Sequence, residues 1–213
     1  MKCVILDQMS AKKHPTKEEL MSLLQMLNMF HPVGKGIEQY LLKNVYCCNI
    51  LKGKYLLRDG EISHSLYFIQ KGVLRGFIKE ENKEITTWLA TENEMAAGIR
   101  SFLLQAATTE NIQAIEDCEL LTIDFSDLNK MYQKYPSFNI VGRKITEYHY
   151  IQAENRAYIT RLHDAEKKYA YFLEFYSHLA NRVQLTYVAS FLGITIETLS
   201  RVRAKTSTRK KLK

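Results

Sequence analysis

The sequence predicts an α+β protein: an N-terminal antiparallel β-roll of the jelly-roll type with flanking helices, a long helix, and a C-terminal helix-turn-helix. Three observations predict it. Between about Ile50 and Phe125, short runs rich in β-formers recur at intervals of about ten residues, separated by Gly, Asn and Asp. From Pro136 onward the apolar spacing becomes helical. The formal net charge of +7 is gathered at the C-terminal end.

The first helical stretch is marked by Thr16-Lys-Glu-Glu19, a capping box in which the Thr side chain accepts from a backbone N–H and Glu19 reaches back. The apolar run Leu20 to Leu27 continues it, and a second short helix follows the turn at 31–36 and runs through Leu42. The roll is then read from Tyr55-Leu-Leu, Leu66 to Ile69, Val73 to Ile78, Ile85 to Leu89, Ile112 to Ile115 and Leu120 to Ile123. Gly53, Gly60 and Gly72 stand where turns need positive φ.

Val141, Ile145, Tyr148, Gln152, Asn155, Ile159 and Leu162 alternate steps of four and three, an a/d seam through three heptads. The same face suits a homodimer or a helix packed on its own domain. A further helix from Ala165 to about Leu179 carries Tyr and Phe as core residues. These readings divide the chain into a roll domain at 1–135, a long helix at 136–163 and a helix-turn-helix module at 164–213.

Composition narrows the function. At 46% hydrophobic and 25% charged, the chain can build a core. No apolar run reaches the roughly 18 residues of a membrane span, and Met1 to Ser10 lacks the pattern of a secretion signal. Cys3, Cys47, Cys48 and Cys118 have no zinc-ligand spacing, so a reducing cytoplasm is expected, with no disulfide framework, no metal site and no cofactor. Cys47 and Cys48 are either redox-sensitive or buried structural thiols. No nucleophile elbow, P-loop or paired acid–base motif points to an enzyme.

Eight basic residues and one acid, Glu197, fall within the last 33 residues, so that segment carries the entire net charge. A localised positive field favours a polyanion, with double-stranded DNA the leading candidate and a solvated basic tail the alternative. Leu185 to Val202 reads as helix-turn-helix. The first helix spans about Leu185 to Leu192, Gly193 takes the turn, Thr195 caps the second helix, and Ala189 permits close helix crossing. Val188, Leu192, Ile194, Leu199 and Val202 fill the core between the helices, which leaves Glu197, Thr198, Ser200, Arg201 and Lys205 outward. Arg can bridge guanine O6 and N7, and Glu can accept from cytosine N4. A helical hairpin that serves a protein partner would show the same pattern.

Over residues 16–205 the chain resembles the Crp/Fnr family of bacterial transcription regulators. Leu51-Lys-Gly-Lys-Tyr-Leu-Leu-Arg-Asp-Gly-Glu and Leu66-Tyr-Phe-Ile-Gln-Lys-Gly are similar to the glycine-punctuated roll of cyclic-nucleotide-binding domains, and Glu197-Thr-Leu-Ser-Arg201 looks like the family's Glu-x-x-Ser-Arg recognition sequence. The resemblance implies a homodimer that reads a pseudo-palindrome through 196–205, with Glu197, Ser200 and Arg201 on bases. It also implies Gln184 and Thr186 on phosphates, joined in our reading by Thr195, Thr198, Lys205, Arg209 and Lys210, with RNA polymerase a further candidate partner.

The chain departs from the family in two places. Where cyclic-nucleotide binders carry Glu and Arg-Ser, alignment puts Gly98, Thr108 and Thr109; Arg100 is the only arginine near and lies too early. A cyclic phosphate would lack its counter-charge, so tight cAMP binding is not expected, and any effector pocket would draw on Trp88, Gly98, Arg100, Thr108 and Thr109. Cys3 stands alone against the cysteine cluster an iron–sulfur sensor needs. The residues after the recognition helix are too few for a wing hairpin, and Arg209 to Lys213 are expected to act as a flexible basic arm.

Overall fold

A computed structural model of the chain describes residues 13–211. Packing divides the described residues into two compact units: one takes in 13–78 and Leu89–Tyr148, the other Lys79–Trp88 and 149–211. All three boundaries, at 78/79, 88/89 and 148/149, fall inside secondary-structure elements rather than in linkers.

The first unit opens with α1 (Lys17–Phe30) and α2 (Lys35–Asn44). The expected capping box is formed: Glu19 N–H donates to Thr16 Oγ1 at 3.2 Å, and Thr16 N–H donates to Glu19 Oε2 at 2.7 Å. Strands β1 (Val45–Ile50), β2 (Tyr55–Leu57), β3 (Ser65–Lys71), β4 (Leu74–Glu80), β5 (Lys83–Ala90), β6 (Met95–Ala96), β7 (Glu110–Ala114) and β8 (Cys118–Asp124) form two four-stranded sheets, ordered β1-β8-β3-β6 and β2-β7-β4-β5. Helix α3 (Ile99–Leu104) interrupts the strands after β6, and α4 (Phe125–Lys134) follows β8.

Register explains how one sheet face is buried. Antiparallel pairing sets Val45 and Leu66 against Ile123, and Cys47 and Phe68 against Leu121. Because strand side chains alternate faces, these residues share one side. That side joins Leu20, Leu23 and Leu27 of α1, Ile37 and Leu41 of α2, and Leu128 and Met131 of α4 in a single apolar core. At the β3–β4 turn Gly72 has φ +100°, and a Cβ there would lie 2.6 Å from Cys118 Sγ and 2.7 Å from Asp117 O. Only glycine fits.

Cys48 and Cys118 are buried, and burial pushes their thiols up to about 12 and about 11; burial also raises Cys47. At neutral pH these groups are protonated thiols, the unreactive form. Of the two readings of Cys47 and Cys48, the structural one has this support. Cys3 lies outside the described residues.

Helix α5 (Phe138–Arg161) runs from the first unit into the second. The second unit continues with α6 (Ala165–Phe175), a 3-10 turn at Ser177–Leu179, α7 (Leu185–Leu192) and α8 (Ile196–Lys211). Its core gathers Tyr169, Phe172, Tyr176, Leu179, Val188, Phe191, Leu192 and Leu199, all buried. The rings of Phe172 and Tyr176 meet Phe191 edge-on at 6.1 and 5.3 Å, so Tyr169, Phe172 and Tyr176 serve as core, whereas Tyr171 is half-buried and Phe175 exposed. Among the described residues no helix is long and apolar enough to cross a membrane.

Candidate nucleic-acid interface

Helices α7 and α8 are joined by a three-residue turn built as the sequence predicts. Gly193 closes α7 in the left-handed region at φ 61°, ψ 42°, and its N–H bonds back to Ala189 and Ser190 carbonyls. Ala189 is buried at the crossing, with Val188, Leu192, Leu199 and Val202 around it; Ile194 is half-buried. Thr195 caps α8, its Oγ1 accepting from Thr198 N–H at 3.2 Å.

Glu197, Ser200 and Arg201 are exposed on one face of the first two turns of α8. Hydrogen bonds from its own backbone N–H and from Thr195 hold the Glu197 carboxyl below the usual carboxylate range. At neutral pH it is an acceptor only, the form required opposite cytosine N4. Arg201 Nη2 lies 3.4 Å from Thr198 Oγ1, one turn back on the same face. Gln184 and Thr186, at the start of α7, are exposed, and Thr198 is half-buried.

Lys205 is already engaged: its Nζ pairs with Glu166 Oε1 of α6 at 2.9 Å. Exposed pairs of this kind are worth little, so a phosphate can compete for the ammonium. The segment expected to be a flexible arm is helical in its backbone, because α8 continues through Lys211; the side chains of Arg209 and Lys210 lie outside what the structure describes. Helix formers at 201–205 and 209–211 extend the run that the sequence reading ended at 205.

Part of the face of α5 predicted as a seam is packed within the chain. Val141 and Ile159 are each 1% exposed, taken up inside the chain, and Ile145 packs against the first unit's core. Gln152 is half-buried. The apolar residues α5 does expose include Tyr148, Ile151 and Tyr158, the last two at 54% and 58%. In the second unit this leaves a stripe of Ile151, Asn155, Tyr158 and Leu162, with steps of four, three and four. Heptad spacing alone could not tell this stripe from its neighbour one residue on, because Ile159 is as apolar as Tyr158.

The candidate effector residues are scattered. Gly98 is buried, and a Cβ there would lie 2.5 Å from Leu57 Cδ2 and 3.5 Å from Ser63 Cβ. Thr108 is held by backbone bonds to the 58–61 turn, and its hydroxyl accepts from Glu110 N–H. Arg100 and Thr109 are exposed, while Trp88 is half-buried and belongs to the second unit.

One contact of α7 had no sequence signal. Ser190 Oγ accepts from Thr86 N–H and donates to Glu84 O, both at 2.9 Å. A strand at the edge of a sheet offers such unpaired backbone groups, and β5 is an edge. Ser190→Ala would remove both hydrogen bonds, so it should lower stability to urea by about 1–2 kcal/mol and speed hydrogen exchange at Thr86. Unchanged unfolding and exchange would show that the hydroxyl is dispensable.

Residues 48–135 match the family model described as the cyclic nucleotide-binding domain. No curated protein matches the chain. Among solved structures, FixK2 from Bradyrhizobium japonicum is similar at TM-score 0.67 and 18% identity, over 78% of this chain and 86% of that one. A CooA mutant from Carboxydothermus hydrogenoformans is similar at TM-score 0.65 and 18% identity, over 88% and 84%. A chain from Eubacterium rectale described as a transcriptional regulator of the Crp/Fnr family is similar at TM-score 0.64 and 15% identity, over 83% and 85%. At these identities the likeness is one of fold.

Proposed function

From a cyclic nucleotide-binding domain at residues 48–135 and a fold shared with Crp/Fnr transcription regulators, we propose that this chain is a homodimeric, DNA-binding transcription regulator. The observation that carries the reading is the exposed set Glu197, Ser200 and Arg201 on the opening turns of a capped helix whose other face is locked in an apolar core. A helix so presented can enter the major groove with these side chains at base edges. Gln184 and Thr186 would meet the backbone, which fixes orientation rather than sequence. The Ile151–Asn155–Tyr158–Leu162 stripe would pair with its copy about a two-fold axis, setting two α8 helices against two half-sites. A footprint on a bound duplex should show two protected half-sites about 10 bp apart, centre to centre, or a multiple of that. One unpaired protected site would contradict the dimeric reading.

We infer further that cAMP is not the signal. A cyclic phosphate needs a cationic partner, and the aligned positions hold threonines: Thr108, already hydrogen-bonded in a turn, and Thr109. The position of the ribose-binding Glu is Gly98, packed on Leu57. A ligand at 100 times its Kd stabilises by about 2.7 kcal/mol, which would raise the melting point of a chain this size by roughly 5–10 °C. Millimolar cAMP should move it by less than about 1 °C, as follows for a ligand with no differential affinity. A rise in that range would overturn the inference.

A further inference from the structure

Lys168, on the first turn of α6, is 5% exposed, an unusual place for an ammonium group. Its Nζ donates to two carbonyls from different helices: Leu192 O at 2.8 Å and Thr160 O at 3.1 Å. Leu192 is the last residue of α7, and Thr160 is next to last in α5. The final carbonyls of a helix have no partner within it and carry the negative end of its dipole. One cation thus closes two helix ends.

Burying an ammonium costs several kcal/mol unless bonds and charge compensate it. A methionine would fill much the same volume without that cost. What it could not supply is direction: the ammonium joins two carbonyls at fixed distances, whereas an apolar tip would let the two helix ends slide. Those ends belong to elements with separate duties. The last turns of α5, with the residue that follows it, bear the stripe Ile151, Asn155, Tyr158 and Leu162, and α7 leads through Gly193 into α8.

We propose that Lys168 is a positioning residue for DNA reading, locking the stripe-bearing end of α5 to α7 and so setting where α8 stands relative to the dimer axis. The proposal rests on the reading of α5 as dimer helix and α8 as DNA reader. Lys168 touches no DNA; it acts through the placement of Arg201 and its neighbours. In a two-fold dimer, a tilt between seam and recognition helix moves both helices and alters which half-site spacing they fit. Loss of the lock should loosen spacing and leave each half-site contact intact.

The test measures binding of the full chain to three duplexes: a selected palindrome, the same palindrome with one base pair added at its centre, and a single half-site. One base pair turns one half-site by about 35° relative to the other. The wild type should prefer the correct spacing by about ten-fold or more, because only then do both sites bind together. Lys168→Met should bind the half-site within about two-fold of wild type, yet prefer the correct spacing by less than about three-fold. Lys168→Arg, which keeps cationic donors, should restore the preference.

Equal weakening on all three duplexes would mark a merely structural residue and overturn the proposal, as would full spacing preference in Lys168→Met. If Lys168→Met does not fold, Lys168→Gln keeps one donor group and should give the intermediate preference; failure of both to fold also overturns the positioning role. Wild type without affinity for any duplex would instead break the DNA reading itself, and wild type indifferent to spacing would break the dimeric one. In either case nothing remains for Lys168 to position.

Discussion

Replacing Ile151 and Tyr158 together by glutamate should convert the proposed dimer to monomers without unfolding the chain. Both side chains are more than half exposed, so the substitutions leave no cavity and strand no polar group within the protomer. Across a two-fold axis, however, each helix would meet its own image, and four carboxylates would face one another in place of an apolar seam. Like charges at that spacing oppose association. The effect on DNA should be larger still. Two linked recognition helices gain by effective concentration, so a monomer should lose about 10²- to 10⁴-fold in affinity for a palindrome and little for a half-site. Sedimentation and melting give mass and fold. A dimer that survives both glutamates would place the seam elsewhere.

Arg201→Ala should cost about 1–3 kcal/mol on the preferred site and relax selection at one base position. The side chain is exposed on the second turn of α8 and makes a long, exposed hydrogen bond to Thr198 Oγ1 at 3.4 Å, so little local structure depends on it. Lys205→Ala makes the useful contrast. Lys205 stands on the same helix but already pairs with Glu166, and a residue that meets only phosphates should weaken all sequences alike. Its loss should also flatten the slope of affinity against salt by up to about one unit. Anisotropy titrations on specific and random duplexes separate the cases. Equal loss on both kinds of DNA for Arg201→Ala would remove it from the base-reading set.

The second unit was legible because its signals are local. A left-handed glycine, a capping threonine and apolar residues at three- and four-residue steps specify a helix pair without reference to distant chain, and Gly193, Thr195, Val188, Leu192, Leu199 and Val202 stand as expected. Strands flanked by glycine turns were legible for the same reason. Strand β1 was not: Val45-Tyr-Cys-Cys-Asn-Ile follows directly on α2, with no turn residue between, and its place comes from pairing with β8, over seventy residues away in the chain. Helix α4 is not foreseen either: Phe125 continues the apolar run of β8, so the roll is read through it and helical spacing is read only from Pro136 onward.

The seam register, the Ser190 contact and the lysine between two helix ends share a different reason. Each is decided by which neighbour a side chain meets, and a period along one helix does not say. Ile159 and Tyr158 are equivalent as apolar residues; tertiary packing buried the first and left the second exposed. Lys168 looks on sequence like one half of an ordinary solvated Lys-Lys pair, since its partners are backbone carbonyls that carry no residue identity.

The central claim is that a dimer of this chain reads a symmetric DNA sequence through α8. Its most direct test is selection of bound duplexes from a random pool at about 0.15 M salt, where the Debye length of about 8 Å suppresses weak long-range charge contacts. The account predicts enrichment of a two-fold-symmetric motif, with a base position that loses its preference when Arg201 is replaced. A folded, dimeric protein that enriches no motif would contradict it.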